Sequence, residues 1–271
     1  MRSFRKILKY KRELKSNRTE RSQVQLSLSE HFKQPVRLKP ASGKAGIDQI
    51  YSVRYRRRTI AMVRVQNNSK IKLNGHRKWN FRVRLGIQER IEKEWDAYEK
   101  LSAIGLSPKP LWRNDIACAC SWVDAERAAR SFVYSRHDFW DLVDTIFDAV
   151  RKMHDLGITH MDLNLGNILL NQKTNTLSFI DFEFGPESWV TESQQRVCDY
   201  LILLNEFCRK RRGGKTMLAD SERMAGLLGK FIRDEDRSVH LGRIFPQFNR
   251  LSQFENLGNA LSSVLPNLET Q

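Results

Sequence analysis

The stretch His160-Met161-Asp162-Leu163-Asn164-Leu165-Gly166-Asn167-Ile168-Leu169-Leu170, followed by Ile180-Asp181-Phe182-Glu183, decides the reading of this chain. It sets a carboxylate at 162, a carboxamide five residues on at 167, and a second carboxylate nineteen residues after the first. Asp162 can accept the proton of an attacking hydroxyl. Asn167 and Asp181 offer hard oxygen donors of the kind Mg²⁺ prefers, and a metal there neutralises charge on a transferring phosphoryl group. A lone Asp ahead of an apolar run is ordinarily a turn or cap residue. Three polar positions at this spacing, in this apolar setting, outweigh that reading.

The flanks agree. Apolar residues at Leu142/Val143, Ile146/Phe147, Val150 and Met153 recur at helical spacing over 139–154, and Gly157 stops the helix. Ile168-Leu169-Leu170 and Leu177-Ser178-Phe179-Ile180 are short apolar runs about a polar turn at 171–176. That pattern predicts a hairpin with Asn167 and Asp181 at its open end. His160 reads as a loop brace and His154 as a buried helix residue without a catalytic role.

With 271 residues and 40% hydrophobic content, the chain can build one two-lobed domain or two small ones. No apolar run reaches the twenty or so residues of a membrane span, and the basic N-terminus lacks the apolar centre of a signal peptide. Cys118, Cys120, Cys198 and Cys208 form neither a C-x-x-C pair nor a metal-ligand set, so reduced thiols are expected. The net charge of +16 favours an anionic partner: nucleic acid, acidic membrane or a polyanionic substrate. Basic residues cluster at Arg2–Arg18, at Arg54–Arg84 and at Arg209-Lys210-Arg211-Arg212. In the first cluster Phe4, Ile7/Leu8 and Leu14 share one helical face, so it reads either as an amphipathic helix on an anionic membrane or as a solvated tail. No nucleic-acid-binding motif accompanies the charge.

In the amino-terminal half, strands are predicted over 36–38, 49–55 and 59–65, with a turn at Arg56-Arg57-Arg58. Gly43, Lys44 and Gly46 can bring backbone amides to ATP phosphates, or can form an ordinary hairpin turn. Ala61-Met62-Val63-Arg64 occupies the place of the V-A-I-K strand of protein kinases, with Arg64 where lysine is usual. Its expected partner is Glu94, on a helix whose Trp95, Tyr98 and Leu101 share a face; Glu92 is the substitute. Further strands are expected at Ile116–Val123 and Ser131–Tyr134, with a loop at Asp124–Arg130 and a hinge at Ser135-Arg136-His137-Asp138 where adenine would dock.

The run from His160 to Asn167 and the Asp181 triplet match the H-R-D-x-x-x-x-N and D-F-G signatures of protein kinases. Together with Glu94-Trp95, Leu101 and Gly105, they resemble the bacterial lipopolysaccharide core (Kdo/heptose) kinase family, over roughly residues 36–205. Asp162-Leu163-Asn164 is closer to the Kdo kinases than to the heptose kinases. The resemblance implies an α+β, two-lobed protein-kinase-like fold: a small antiparallel-sheet N-lobe with one helix, and a mainly helical C-lobe. Residues 1–35 would be a basic, possibly membrane-associating segment, 36–136 the N-lobe and 137–271 the C-lobe. It further implies ATP and Mg²⁺ as cofactors and a lipid-anchored sugar hydroxyl as acceptor, met at the cytoplasmic face of the inner membrane. In these terms Asp162 is the catalytic base, Asn167 and Asp181 hold the metal, and Gly43, Lys44, Gly46, Arg64 and Glu94 hold ATP. Met161 replaces the usual arginine and Glu183 the usual glycine, so activation by loop phosphorylation is not expected.

Pro186-Glu187 follows Asp181 at once, and 199–204 is already helical in pattern, which leaves no room for a peptide platform. A sugar or small-molecule acceptor fits better, and Asp199 is placed to brace the catalytic loop. The alternatives are a soluble, aminoglycoside-type phosphotransferase and a pseudokinase or binding module.

Overall fold

The computed structural model describes residues 16–41, 48–67, 80–134 and 137–268. In chain order the elements are α1 (Arg18–His31), β1 (Arg37–Pro40), β2 (Asp48–Tyr55), β3 (Arg58–Gln66), β4 (Arg82–Arg84), α2 (Ile87–Ser102), β5 (Pro110–Asn114) and β6 (Ala117–Ser121). They continue with β7 (Glu126–Arg127), α3 (Ala128–Val133), α4 (Phe139–Asp155), β8 (Ile168–Asn171), β9 (Thr176–Phe179), β10 (Phe184–Pro186) and α5 (Glu192–Phe207). Last come α6 (Gly214–Ala219), α7 (Ser221–Phe231), α8 (Asp234–Arg237) and α9 (Glu255–Ser262). The chain divides into two units: residues 1–75, 85–102 and 108–124 form the first, and 76–84, 103–107 and 125–271 the second.

Unit 1 is built on an antiparallel sheet in the order β1-β2-β3-β6-β5. Alternation of buried and half-buried residues along β2 and β3 puts Tyr51, Val53, Ala61, Val63 and Val65 into one core. A helix absent from the predicted N-lobe, α1, covers that core. Its Val24 and Leu28, four residues apart and so on one face, are fully buried against the sheet. Polar contacts fix the helix: Asn17 Nδ2, at its start, donates to Asn67 Oδ1 (3.0 Å), and the Leu38 amide donates to Gln25 Oε1 (3.1 Å) at its middle. The expected separate segment 1–35 is thus corrected, because residues 18–31 are structural parts of unit 1; residues 1–15 lie outside the described ones. Helix α2 buries Tyr98 and Leu101 of the predicted face, with Ile91 and Ala97 beside them, while Trp95 of that face is only half-buried.

Unit 2 is mainly helical and contains the hairpin predicted from 168–180. Strands β8 and β9 pair antiparallel from Ile168↔Phe179 to Asn171↔Thr176, and β7 adds to the β8 edge. Helix α4 begins at an Asp138 cap that accepts from the Trp140 and Asp141 amides, and ends before Gly157, whose φ of +72° suits glycine. A Thr191–Gln194 capping box starts α5.

Two boundary expectations are corrected. Ser131–Tyr134 is not a strand: Ala128–Val133 is helical, and its Ala129 amide donates to Leu165 O (3.1 Å), a tertiary bond that overrides the strand preference of Phe-Val-Tyr. Within the expected loop 124–130, β7 forms. The division between units falls at Asp124/Ala125 rather than 136/137, and residues 80–84 join unit 2 through β4–β10 pairing and the Phe81–Phe248 ring contact at 5.3 Å. Residues 135–136 of the expected hinge lie outside the described ones.

The α1 contact is measurable. Leu28→Ala is expected to cost about 2–5 kcal/mol, as for other fully buried leucines, and to lower the melting temperature. Deletion of residues 1–15 should leave thermal unfolding nearly unchanged by comparison. A Leu28→Ala protein that melts like wild type would show that α1 is not part of the core.

Candidate active site

The catalytic loop of unit 2 hangs on one carboxylate. Asp199 projects from α5, is fully buried, and accepts the main-chain amides of His160 (2.8 Å) and Met161 (2.7 Å). His154 Nε2, also buried, lies 3.1 Å from the same carboxylate. Burial alone would raise the Asp199 carboxyl, but the hydrogen bond and charge of His154, with the His160 contacts, hold it below the ordinary carboxylate range. The expected brace is therefore present, and His154 is part of it. His160 Nε2 meets Ile180 O at 3.0 Å while its ring packs 4.5 Å from that of Phe182, so the loop is also tied to the Asp181 segment.

These ties force the backbone. Met161, wholly buried, sits at φ +64° and Asp181 at φ +75°, a left-handed region costing non-glycine residues about 1–2 kcal/mol each. Between them Asp162 is held from both sides. Its Oδ2 receives Nδ2 of Asn164 and of Asn167, each at 3.2 Å, and its main-chain oxygen accepts from Asn167 Nδ2 at 2.9 Å. With Nδ2 engaged on Asp162, the Oδ1 of Asn167 is the atom of that side chain with the chemistry of a cation ligand. Ile180 N donates to Asn167 O (3.0 Å), which brings Asp181 beside Asn167 across the hairpin end. One amide and one carboxylate oxygen donor suit Mg²⁺, which keeps several waters and takes few protein ligands. No group of three or more His, Cys, Asp or Glu able to hold a metal occurs among the described residues, so a structural transition-metal site is not indicated there.

Arg82, which the sequence offers only as one of a basic run, is the residue that completes this site. Its Nη1 donates to Asp162 Oδ1 and to Met161 O, the latter at 2.7 Å. Antiparallel pairing of β4 with β10 aligns Arg82 with Pro186 and Arg84 with Phe184. The two guanidinium groups lie 4.9 and 4.8 Å from the Phe184 ring, and Arg84 Nη2 pairs with Glu183 Oε1 at 2.5 Å. Glu183, the departure from glycine, thus has a structural partner.

Unit 1 brings the other expected pair together. Arg64 Nε lies 2.9 Å from Glu94 Oε2, and Nη1 lies 3.2 Å from Asp48 Oδ2. Asp48 is shared with Arg90 (3.0 Å), and Tyr98 Oη donates to Glu94 (2.7 Å). Two arginines and two carboxylates form a buried, charge-balanced network of which sequence reading found half. Asp48 was missed because only the β2–β3 register, which sets it opposite Gln66 and two residues from Arg64's partner Ile50, brings it there. Next to it, burial pushes the Cys120 thiol up to about 12 and the Cys118 thiol higher still, so neither is a nucleophile at neutral pH. Gly43, Lys44 and Gly46 lie outside the described residues.

An antiparallel sheet with helices in one unit, a helical second unit, and an Asp–Asn–Asp constellation on a braced loop define a protein-kinase-like phosphotransferase with an alcohol group as acceptor. Residues 133–222, about a third of the chain, match the model of the Lipopolysaccharide kinase (Kdo/WaaP) family, which bears out the resemblance over the segment that holds this loop. Among solved structures the chain is similar to the Mycobacterium tuberculosis PknI kinase domain, at 14% identity over 85% of this chain and 88% of that one, with a TM-score of 0.41. It is also similar to the Chaetomium thermophilum Rio2 kinase-ADP/Mg²⁺-phosphoaspartate complex, at 14% identity over 92% and 76%, with a TM-score of 0.48. No curated protein matches it.

Two measurements follow from the geometry. Arg82→Ala should lower kcat roughly 10–100-fold, as small misplacements of a reacting group do, with KM for ATP little changed. Arg82→Lys should recover part of the loss; equal kcat in Arg82→Ala and wild type would remove Arg82 from the site. As for pH, a depressed carboxylate stabilises the fold above its unfolded value of about 3.9, and the contribution is lost as pH falls through the lower folded value. Asp199, and Asp236 bonded to Arg196 Nε at 2.8 Å, both follow that rule. The share of stability they supply should therefore persist down to about pH 4 and fall away below it. Melting temperatures of wild type and Asp236→Asn that converge already at pH 6 would contradict this.

Proposed function

We propose that this kinase transfers the γ-phosphoryl group of ATP to a sugar hydroxyl, Kdo or heptose, of the lipopolysaccharide inner core. Asp162 orients the hydroxyl and takes its proton as the oxygen bonds to phosphorus, and the bond to the leaving ADP oxygen breaks. Asn167 and Asp181 hold Mg²⁺, which when bound supplies charge neutralisation of the phosphates. Arg64, fixed by Glu94, is assigned to the ATP phosphates. The acceptor is lipid-anchored, so the enzyme works at an anionic membrane, on the cytoplasmic face. No described helix is long and apolar enough to cross a membrane, so contact would be peripheral.

The observation that carries the acceptor assignment is the brevity of the segment after Asp181. β10 closes at Pro186 and α5 opens at Glu192, so the chain has no stretch on which to lay a peptide. The family match over 133–222 favours a lipopolysaccharide sugar among the small acceptors.

The test is transfer from ATP with Mg²⁺ to purified lipopolysaccharide precursors, the product located by mass spectrometry. One added phosphate on a Kdo or heptose hydroxyl is expected. Asp162→Ala should cut turnover by roughly 10²–10⁴ with ATP binding retained, and Asp181→Ala should abolish use of Mg·ATP. Arg64→Ala should weaken ATP use and also destabilise unit 1, because buried Glu94 and Asp48 each lose the Arg64 cation and keep Tyr98 and Arg90, respectively. Arg64→Lys should keep part of both. Phosphorylation of an aminoglycoside and not of the lipid-linked sugar would overturn the reading.

A further inference from the structure

The third basic cluster is only partly neutralised. Arg209 Nη2 pairs with Glu206 Oε1 at 2.8 Å, and Arg212 takes the other oxygen of the same carboxylate. Lys210, Arg211 and Lys215 are exposed and have no acidic partner among the described residues. They line a pocket of about 430 Å³ in unit 2 together with the apolar side chains of Phe132, Val133 and Phe139. Three cations within six residues repel one another unless an anion joins them.

The apolar side is built to stay in place. Phe132 and Phe139 lie 5.8 Å apart, and each packs on Phe207, at 5.1 and 5.7 Å. The turn bearing the cations is pressed against this wall at Gly213. A Cβ there would fall 2.1 Å from Phe139 Cε2, and its φ is +90°, so only glycine allows the approach. Val133, which lines the pocket, is 45% exposed. Phe132 and Val133 belong to α3 and Phe139 to α4, and the first turn of α3 is bonded to the catalytic loop through Ala129 N and Leu165 O.

We infer that this pocket binds the phosphate or carboxylate headgroup of a membrane amphiphile, with the adjoining apolar part of the molecule on Phe132, Val133 and Phe139. A free inorganic anion would answer the cations but leave Val133 in water. An amphiphile in an anionic leaflet satisfies both sides at once. The inference deepens the proposed function, on which it rests for the membrane setting, and it gives the enzyme a lipid contact that does not use residues 1–18.

The full chain is to be sedimented with vesicles of phosphatidylcholine alone and of phosphatidylcholine with phosphatidylglycerol, with and without inorganic pyrophosphate. Lys210→Glu/Arg211→Glu/Lys215→Glu should bind the anionic vesicles about tenfold or more weakly, with melting temperature and Mg²⁺-dependent ATP turnover as in wild type. Val133→Ser, which leaves every charge in place, should weaken the same binding several-fold. Undiminished vesicle binding by the triple variant overturns the inference. So does full displacement by pyrophosphate with no effect of Val133→Ser, which would mark a free-anion site, or loss of oligonucleotide rather than vesicle binding. Absence of ATP turnover in the wild type would instead sink the kinase reading, and the vesicle result would stand apart from it.

Discussion

A buried carboxylate on α5 is the constraint on which the active site depends. Moving an ionised group out of water costs several kcal/mol unless hydrogen bonds replace its hydration. Asp199 meets that cost with two successive main-chain amides and a histidine, and the amides it recruits are those of His160 and Met161. Two adjacent N–H groups can converge on one carboxylate only if the chain turns sharply, and Met161 adopts its left-handed conformation there. The next residue is Asp162. The orientation of the proposed base is thus set by a group that has no part in the chemistry, held where water cannot compete.

Positive charge is used in three distinct ways. In unit 1, Arg64 and Arg90 are balanced by Asp48 and Glu94 within a buried network. In unit 2, Arg82 and Arg84 both lie against the Phe184 ring and reach the Asp162 carboxylate and Glu183, which ties β4 to the segment after Asp181. A protein kinase that senses a phosphorylated loop needs an arginine ahead of its catalytic aspartate; here Met161 stands in that place, and β4 supplies the cations permanently. In the third way, cations such as Lys210, Arg211 and Lys215 are exposed.

The catalytic loop was legible because its parts are near in sequence and its residue types are dictated by phosphoryl transfer. Arg64 and Glu94 could be paired because each sits on an element with clear periodicity, and Asp199 because a helix must carry it past the loop. Arg82 was not legible. Its contact with Asp162 spans eighty residues and exists only through the pairing of two three-residue strands, too short to leave an alternation pattern. Nor was α1, since two buried residues, Val24 and Leu28, on an otherwise polar helix give little periodic signal. Ser131–Tyr134 misled because its side chains favour strand, while the hydrogen bonds from the Ala129 amide to Leu165 O and from Gln172 Nε2 to Ser131 Oγ decide otherwise.

The central claim, that Asp199 holds the catalytic loop in its working geometry, is tested most directly by amide hydrogen exchange in Asp199→Asn. One Nδ2–H₂ group in place of a carboxylate oxygen cannot accept both main-chain amides and the His154 contact together. Exchange at His160, Met161 and Asp162 should quicken markedly, while exchange along β2 and β3 of unit 1 stays at the wild-type rate. Unchanged protection at His160 and Met161 in a folded Asp199→Asn protein would contradict the claim.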